Sequence, residues 1–262
     1  MSAHPLPARR WRPGFASWTT LIVGGLLLWS LWAIEASPER LARLPAQLAQ
    51  VLGFFWPVDW QYGHTRVLPA IVESIQLAWI GTIIGAALSL PLAILGASTL
   101  FPWAAKVIKG ISATIRAVPE ILWALYLVPI VGLGPFAGAL ALGINSVGML
   151  SKLGAEVVES ADLAAMEAVE AAGGSRLAAI RLGLLPQVLP ELMAHWLFRF
   201  ELNLRASAVL GVVGAGGVGG LLLNTLRYRQ FEMAAAVLVL TVLVVLAIDM
   251  VSGSVRRKLL RG

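Results

Sequence analysis

The sequence predicts an all-α, polytopic membrane protein built as one helical bundle with about six transmembrane helices. Of the 262 residues, 58% are hydrophobic and 13% are charged, whereas a soluble domain carries about 25% charged residues. The apolar residues fall into six runs, each close to the ~20 residues that a helix needs to cross a bilayer. A polar segment with two adjacent glycines interrupts these runs at residues 160–186.

The first apolar run follows Arg9, Arg10 and Arg12, an arrangement that also occurs in signal peptides. Residues 35–38 contain no small-x-small cleavage site, so we expect an uncleaved transmembrane helix. The six expected spans cover residues 17–36, a stretch within 67–98, 112–131, 136–157, 186 to just before Gly214, and 231–252.

Basic residues predict how these spans are oriented. Six spans place both termini on the same side of the membrane. If that side is the cytoplasm, twelve of the 20 Lys and Arg residues lie inside, as the positive-inside rule requires. We therefore predict cytoplasmic termini, and the net charge of +6 indicates topology and not nucleic-acid binding. Five basic residues would lie outside: Arg40, Arg43, Arg66, Arg227 and Arg229.

Three regions are expected along the chain. Residues 1–66 would form the first span and a periplasmic amphipathic segment, residues 67–255 the membrane core, and residues 256–262 a basic cytoplasmic tail. Within 38–66, leucines at roughly helical spacing precede phenylalanines and tryptophans, which favours a helix lying on the outer leaflet. Such a helix would be either an inert anchor or a lid over the outer mouth.

The polar segment contains signals for two short helices. Asp162 can cap a helix rich in alanine, and Gly173-Gly174 would end it. Ser175 can cap a second helix over 176–182 that leads back to the membrane. The small alanine side chains of the first helix would let it sit deep in a groove on a partner.

The spacing of this segment resembles the EAA motif of ABC importer permeases, although Val169 and Gly183 depart from the family pattern. The resemblance implies a cytoplasmic coupling helix that docks into a separate ATP-hydrolysing subunit, with Glu170 as a second carboxylate facing that partner. The alternative is an ordinary cytoplasmic loop with two short helices. The matching residues are Glu167, Ala168, Gly173, Leu185 and Pro186.

A longer resemblance, over about residues 65–255, is to the permeases of phosphonate- and phosphite-type ABC importers. Methionine-type permeases share the EAA motif and a similar glycine-rich segment, but the Glu-x-Asn-x-Arg run favours the phosphorus-oxyanion group. The segments that carry this resemblance are 185–190, 199–207, 211–217, 116–120 and 148–152.

This resemblance implies a type I ABC importer permease fold in the bacterial inner membrane, and a homodimer that works with two ATP-binding subunits and an extracytoplasmic binding protein. The chain would be non-catalytic and hold no cofactor, with ATP and Mg²⁺ bound by the partner subunits. None of its four lysines follows a glycine, as a Walker A loop requires. The alternatives are a permease for another solute such as methionine and, from a different class, an ion-coupled carrier or a membrane enzyme. Phosphonate, phosphite and hypophosphite all remain open as substrates.

Polar residues inside the predicted spans are candidates for a substrate pathway, because charged groups there normally face the bundle interior and have partners. On the fifth span, Arg205, Asn203 and Ser207 would contact an oxyanion, or Glu201 and Arg205 would neutralise each other. On the third span, the pair four residues apart around Pro119 would be a gate hinge or a local ion pair. The full set is Arg116, Glu120, Glu201, Asn203, Arg205 and Ser207.

The glycine-rich segment 214–220 is expected to form a flexible or closely packed bend near the outer mouth. A dinucleotide site would need a preceding strand, which a membrane helix does not provide. Gly214, Gly216 and Gly217 are therefore candidates for part of an outer gate.

Overall fold

The computed structural model of the protein describes residues 15–34 and 37–259, in which all regular structure is helical. The expectations for the arginines at 9–12, for residues 35–36 and for Arg261 lie outside this range. The described residues divide after Phe54 into two compact units. Helices α1 to α12 are, in order, Phe15–Ala33, Pro38–Phe54, Trp60–Tyr62, Leu68–Gly96, Pro102–Ala117, Glu120–Val131, Pro135–Ser160, Ala164–Ala171, Arg176–Ala179, Leu185–Leu210, Val218–Arg227 and Phe231–Leu259.

The first unit consists of α1 and α2. The apolar part of α1, Ser17–Ala33, is helical as predicted but shorter than the other candidate spans. The amphipathic helix expected after it is also present, as α2, and its role as an anchor or a lid stays a prediction. The leucines that predicted α2 are all exposed: Leu41, Leu44, Leu48 and Leu52.

The second unit begins with one long helical stretch. Asp59 caps α3, because its Oδ1 atom accepts a hydrogen bond from the Tyr62 amide over 2.8 Å. A π-helical turn, Gly63–Val67, then joins α3 to α4, so that Trp60–Gly96 is continuous. Residues 60–66, which we expected in the surface segment, are therefore the start of a candidate span.

Small residues let α4 and α7 lie side by side in parallel at the centre of the second unit. A Cβ atom at Gly81 would lie 2.6 Å from the Leu142 Cβ, and one at Gly85 would lie 2.4 Å from the Ser146 Cβ. Neither distance leaves room for a side chain, so glycine is required at both positions. Close approach through small residues is the usual way in which helices pack in membranes.

The predicted third span is not one straight helix. It is divided into α5 and α6, whose axes differ by 85°. Pro119 explains the break, because it disfavours a helical conformation at the preceding residue, and Val118 is extended (φ −95°, ψ 118°). We expected a kink at this proline, and the structure shows a much sharper bend. Helix α5 also begins at Pro102, ten residues before the expected start.

Four stretches of the described chain are long and apolar enough to cross a membrane, and the bent α5–α6 pair makes five if it is counted as one span. The apolar helix of the first unit would be the sixth. The polytopic helical fold is thus confirmed, although two of the six predicted spans are a broken pair and a shorter helix. The four long stretches are Trp60–Gly96, Pro135–Ser160, Arg176–Val213 and Phe231–Leu259.

Candidate coupling surface and polar cavity

Helix α8 is attached to the bundle by one buried side chain and one glycine. Met166 is 2% exposed and packs in a core cluster with Ile180, Leu184 and Val188. A Cβ atom at Gly183 would lie 2.8 Å from the Met166 nitrogen. Gly183, the departure from the family pattern, therefore permits direct contact between the backbones of α8 and the turn that leads into α10.

Local signals define the ends of α8 as predicted. The Asp162 Oδ1 atom accepts a hydrogen bond from the Ala164 amide over 2.9 Å at the start of the helix. At its end, Gly173 adopts a positive φ of 86°, and the Gly174 amide donates to the Val169 carbonyl over 2.9 Å. The Ser175 hydroxyl then accepts a hydrogen bond from the Ala178 amide and so caps α9.

The two glutamates of α8 differ in their surroundings. Glu170 forms an ion pair with Arg176 across the glycine turn, with 2.8 Å between Oε1 and Nη1. Glu167 is exposed and, within the described residues, has no charged partner. It lies beside the exposed Ala168, so the outer face of α8 offers one free carboxylate next to small side chains. Both glutamates were predicted to face the ATP-hydrolysing partner; Glu170 is the one that has an ion pair within the described chain, and the coupling role of both stays a prediction. Leu185 and Pro186 begin α10.

A cavity of about 590 Å³ opens where α5 and α6 meet at Pro119. Arg116 and Glu120, predicted four residues apart on one helix, both reach it from opposite sides of the break. They form no ion pair with each other in the described part of the chain. The complete lining is Ala113, Arg116, Ala117, Val118, Pro119, Glu120, Asn145 and Met149.

A buried guanidinium lies behind the cavity wall. Arg199 is 5% exposed; its Nε atom donates to the Ser146 hydroxyl over 2.9 Å and its Nη2 atom to Asn145 Oδ1 over 2.9 Å. The Nη1 atom lies 3.2 Å from the Met149 sulfur. Asn145 in turn donates to Glu120 Oε2 over 3.3 Å. A hydrogen-bonded chain of α6, α7 and α10 therefore connects the cavity to this charge.

Asn203 and Ser207 are fully buried between helices. The Asn203 amide donates to the Thr82 hydroxyl over 2.9 Å and to the Ser146 hydroxyl over 3.0 Å. The Ser207 hydroxyl donates to the Leu204 carbonyl of its own helix over 2.7 Å. These bonds direct the Asn203 side chain towards α4 and α7, and a role of Asn203 and Ser207 in the conduit stays a prediction.

Glu201 and Arg205 pair with α12 and not with each other. Glu201 accepts a hydrogen bond from Arg256 Nη2 over 3.0 Å, and Arg205 forms an ion pair with Asp249. Glu201 and Arg205 are four residues apart on α10, and their partners on α12 are seven residues apart. Both spacings keep the two charges on one face of their helix. The two helices run antiparallel, so the order of charges is complementary. Arg256, which the sequence predicts as the start of a basic tail, thus belongs to α12.

The glycine segment is a closely packed bend. Gly214, Gly216 and Gly217 all have positive φ values, of 78°, 83° and 84°. The Gly217 amide donates to the Glu73 carboxylate over 3.1 Å, which ties the bend to α4. A Cβ atom at Gly219 would lie 1.6 Å from the Ala208 carbonyl oxygen. Of the two expectations, close packing is observed, and a role in gating stays a prediction.

Sequence reasoning missed Asn145, Ser146 and Thr82 as members of the polar network. Each is a polar residue within a predicted apolar span, and such residues normally face a partner inside the bundle. The criterion that singles out the charged residues of the third and fifth spans therefore also identifies these three polar residues. No group of three potential metal ligands occurs among the described residues.

The class that these features define is a polytopic helical membrane protein, with a short exposed helix, α8, and a cavity between α5, α6 and α7. Residues 89–261 match the sequence profile of the binding-protein-dependent transport system inner membrane component, and the chain belongs to this family. The family contains the permease subunits whose resemblance the motifs indicated.

Two relatives agree with the narrower resemblance. The chain is 34% identical to the phosphite transport system permease protein PtxC of Stutzerimonas stutzeri, over 90% of this chain and 86% of that protein. It is 40% identical to the phosphate-import permease protein PhnE of Mycolicibacterium smegmatis over 72% of this chain, and this match spans only 36% of that longer relative.

Two solved structures share the fold. The inward-facing MetNI methionine ABC transporter has a TM-score of 0.64 at 21% identity, covering 74% of this chain and 95% of that one. An amino acid ABC transporter crystallised with histidines has a TM-score of 0.60 at 20% identity, covering 77% and 99%. The type I ABC importer permease fold is thereby confirmed.

Proposed function

We propose that this chain is the membrane-spanning subunit of an ABC importer that carries phosphorus oxyanions across the inner membrane. It would act as a homodimer with two ATP-binding subunits and an extracytoplasmic binding protein, with both termini in the cytoplasm. The observation that carries this proposal is α8, which presents Glu167 and Ala168 on a helix attached to the core through Met166 and Gly183.

The way in which α8 is attached to the bundle would allow it to transmit movement from the ATP-binding subunits to α10. ATP binding would close the partner ATPases and draw the α8 helices of the two copies together. Because Gly183 and Met166 join α8 directly to the start of α10, a displacement of α8 would move α10 with it. Helix α10 holds the polar network against α4 and α7, so the cavity would be exposed to one side or the other as the packing changes. Hydrolysis would restore the first packing.

The substrate class rests on two supports. The relative that matches 90% of the chain is named for phosphite, and the one that matches 72% of it is named for phosphate. The cavity adds an accessible guanidinium, Arg116, without a carboxylate partner. Arginine is well suited to bind phosphorus oxyanions, because its planar N–H groups match the geometry of their oxygens. The chain itself would catalyse nothing, and ATP and Mg²⁺ would be bound by the partner.

Glu167→Arg tests the coupling. We expect the variant to insert into the membrane normally but to lose both co-purification of the ATP-binding subunit and ATP-dependent uptake of labelled phosphite. Glu232→Arg is the matched control, because it reverses an exposed glutamate at the start of α12. Unimpaired uptake by Glu167→Arg would contradict the coupling role of α8.

Substrate class is tested separately with the complete wild-type transporter. Uptake of labelled phosphite should be reduced by excess phosphate or methylphosphonate and unaffected by methionine. Inhibition by methionine alone would assign the chain to another solute. Accumulation of phosphite in vesicles that lack the ATP-binding subunit would instead indicate an ion-coupled carrier.

A further inference from the structure

A second pocket, of about 270 Å³, continues from the cavity along α5. The two pockets share Ala113 and Arg116, so Arg116 stands at their junction. The second pocket ends beside Glu159, three residues before the cap of α8. Its lining is Lys109, Ser112, Ala113, Arg116, Lys152, Glu156 and Glu159.

Facing stripes of α5 and α7 form this pocket. Lys109 and Arg116 are seven residues apart on α5, and Lys152, Glu156 and Glu159 are three or four residues apart on α7, spacings that keep side chains on one helix face. Along α5 the pocket is about 10 Å long, at 1.5 Å per residue. It therefore extends the cavity as a groove towards the face of the protein that carries α8.

Gly148 brings the Arg116 end of α5 against α7. A Cβ atom at Gly148 would lie 2.7 Å from the Ile115 Cγ2 atom and 3.3 Å from the Arg116 Cγ atom. The stem of Arg116 is thus held against the α7 backbone while its guanidinium remains exposed. The contacts of its stem therefore fix the Arg116 side chain at the junction of the two pockets, and its charge takes no part in these contacts.

The cations of the groove differ in whether their charge is compensated. Lys152 pairs with Glu156 over 3.3 Å and Lys109 with Glu159 over 2.7 Å. Arg116 has no carboxylate within ion-pair distance in the described chain. The one uncompensated charge of the groove is therefore positive and lies where the two pockets meet.

We propose that Arg116, Lys152 and Lys109, which we name the cation row, form the route by which an oxyanion leaves the cavity towards the α8 face. Arg116 contacts the anion, and the two lysines, each already paired, guide it without holding it. This inference rests on the proposed function and adds to it the contact residue and the exit. A single free guanidinium gives selectivity for anions while keeping the contact weak enough for release.

The buried Arg199 supports an anion in the cavity. It is held by the neutral Ser146 and Asn145, and the Glu120 carboxylate is linked to it through Asn145. Around the cavity there are thus two guanidiniums, the exposed one of Arg116 and the buried one of Arg199, and one carboxylate, that of Glu120. This excess of positive charge favours an anionic solute.

The test uses the complete transporter with its ATP-binding subunits and binding protein, reconstituted in vesicles. Arg116→Gln should lower the uptake of labelled phosphite about tenfold, as expected for loss of one charge-assisted hydrogen bond, while ATP hydrolysis stays within about twofold of wild type. Arg116→Lys should recover part of the uptake. Lys106→Gln is the matched control, because Lys106 is on the same helix but packs over the Trp103 ring.

The outcomes separate the two proposals. Wild-type uptake of phosphite with an unchanged rate in Arg116→Gln would overturn the cation row and leave the proposed function intact. Absence of oxyanion uptake by the wild-type complex would overturn both. A parallel loss of uptake and ATP hydrolysis in Arg116→Gln would also contradict the inference, because it would assign Arg116 to the packing of α5 and not to the anion.

Discussion

The coupling segment (residues 160–186) and the polar cavity differ in how far apart along the chain their contacting residues lie. The hydrogen bonds that shape the ends of α8 all come from residues 162–174, and Gly183 contacts its backbone from the turn that follows, although the core cluster around Met166 also includes Ala97 and Leu100. The cavity instead joins residues from α5, α6 and α7, and the charge behind it comes from α10.

This difference determines how each region responds to a substitution. A change in the coupling segment acts through steric fit, because α8 contacts its support backbone to backbone at Gly183. A change in the polar network acts through hydrogen bonds, because each buried polar group depends on a partner from another helix. Two single substitutions and a pair of double-mutant cycles test this contrast, and they are ordered from the largest expected effect to the smallest.

Gly183→Ala should have the largest effect. Its Cβ atom would lie within 2.9 Å of the Ala165 carbonyl and the Met166 nitrogen, both backbone atoms that cannot move independently. We expect a loss of about 3 kcal/mol in the free energy of unfolding. Co-purification of the ATP-binding subunit should fall, because α8 must shift from its support. Thermal unfolding followed by tryptophan fluorescence in detergent measures the stability.

Gly110→Ala is the control for this substitution. A Cβ atom at Gly110 meets nothing within 4 Å, and alanine is favoured over glycine inside a helix by roughly 0.5–1 kcal/mol. The control should therefore be slightly more stable than wild type. Equal behaviour of the two variants would show that α8 is not held by close backbone contact.

The same contrast explains what could be predicted from the sequence. The caps at Asp162 and Ser175 and the turn at Gly173 follow from local preferences of single residues, and all three are confirmed. Local preference also indicated a disturbance at Pro119, but not its size, because the 85° angle depends on the packing of α5 and α6 against α7.

Partners on other helices were not predictable in this way. Glu201 and Arg205 are four residues apart, which suggests an ion pair on one helix, but the structure pairs them with Arg256 and Asp249. Which residues pair with Glu201 and Arg205 depends on which helix lies alongside α10. The spacing of residues along α10 does not reveal the neighbouring helix. Gly183 was equally unpredictable, because the reason for its departure from the family pattern is its close contact with the α8 backbone, which exists only in the folded chain.

Asn203→Ala should have an intermediate effect. The Asn203 amide donates to both the Thr82 and Ser146 hydroxyls, and the side chain is fully buried. Its removal leaves two buried hydroxyls with fewer partners, at a cost of about 2 kcal/mol. The measurement is the unfolding temperature in detergent. Asn224→Ala, at an exposed position on α11, is the control and should match wild type. Equal unfolding temperatures for both variants would contradict a stabilising role of the network.

The smallest effects are expected from the two ion pairs between α10 and α12, which can be compared by double-mutant cycles. The Glu201 side chain is 6% exposed and both its oxygens accept from Arg256. Arg205 and Asp249 are 47% and 30% exposed, and the second oxygen of Asp249 has no described partner. Exposed pairs contribute less because holding two loosely packed side chains in one geometry costs side-chain entropy.

We therefore expect a coupling free energy of about 1 kcal/mol for Glu201 with Arg256 and about half that for Arg205 with Asp249. The cycles use Glu201→Gln with Arg256→Gln, and Arg205→Gln with Asp249→Asn, measured by unfolding in detergent. The phenyl ring of Phe198, 5.4 Å from the Arg256 guanidinium, would keep part of its contact in the glutamine variant. A larger coupling for the exposed pair would mean that burial does not rank these interactions, and the contrast between steric and polar regions would then not extend to α12.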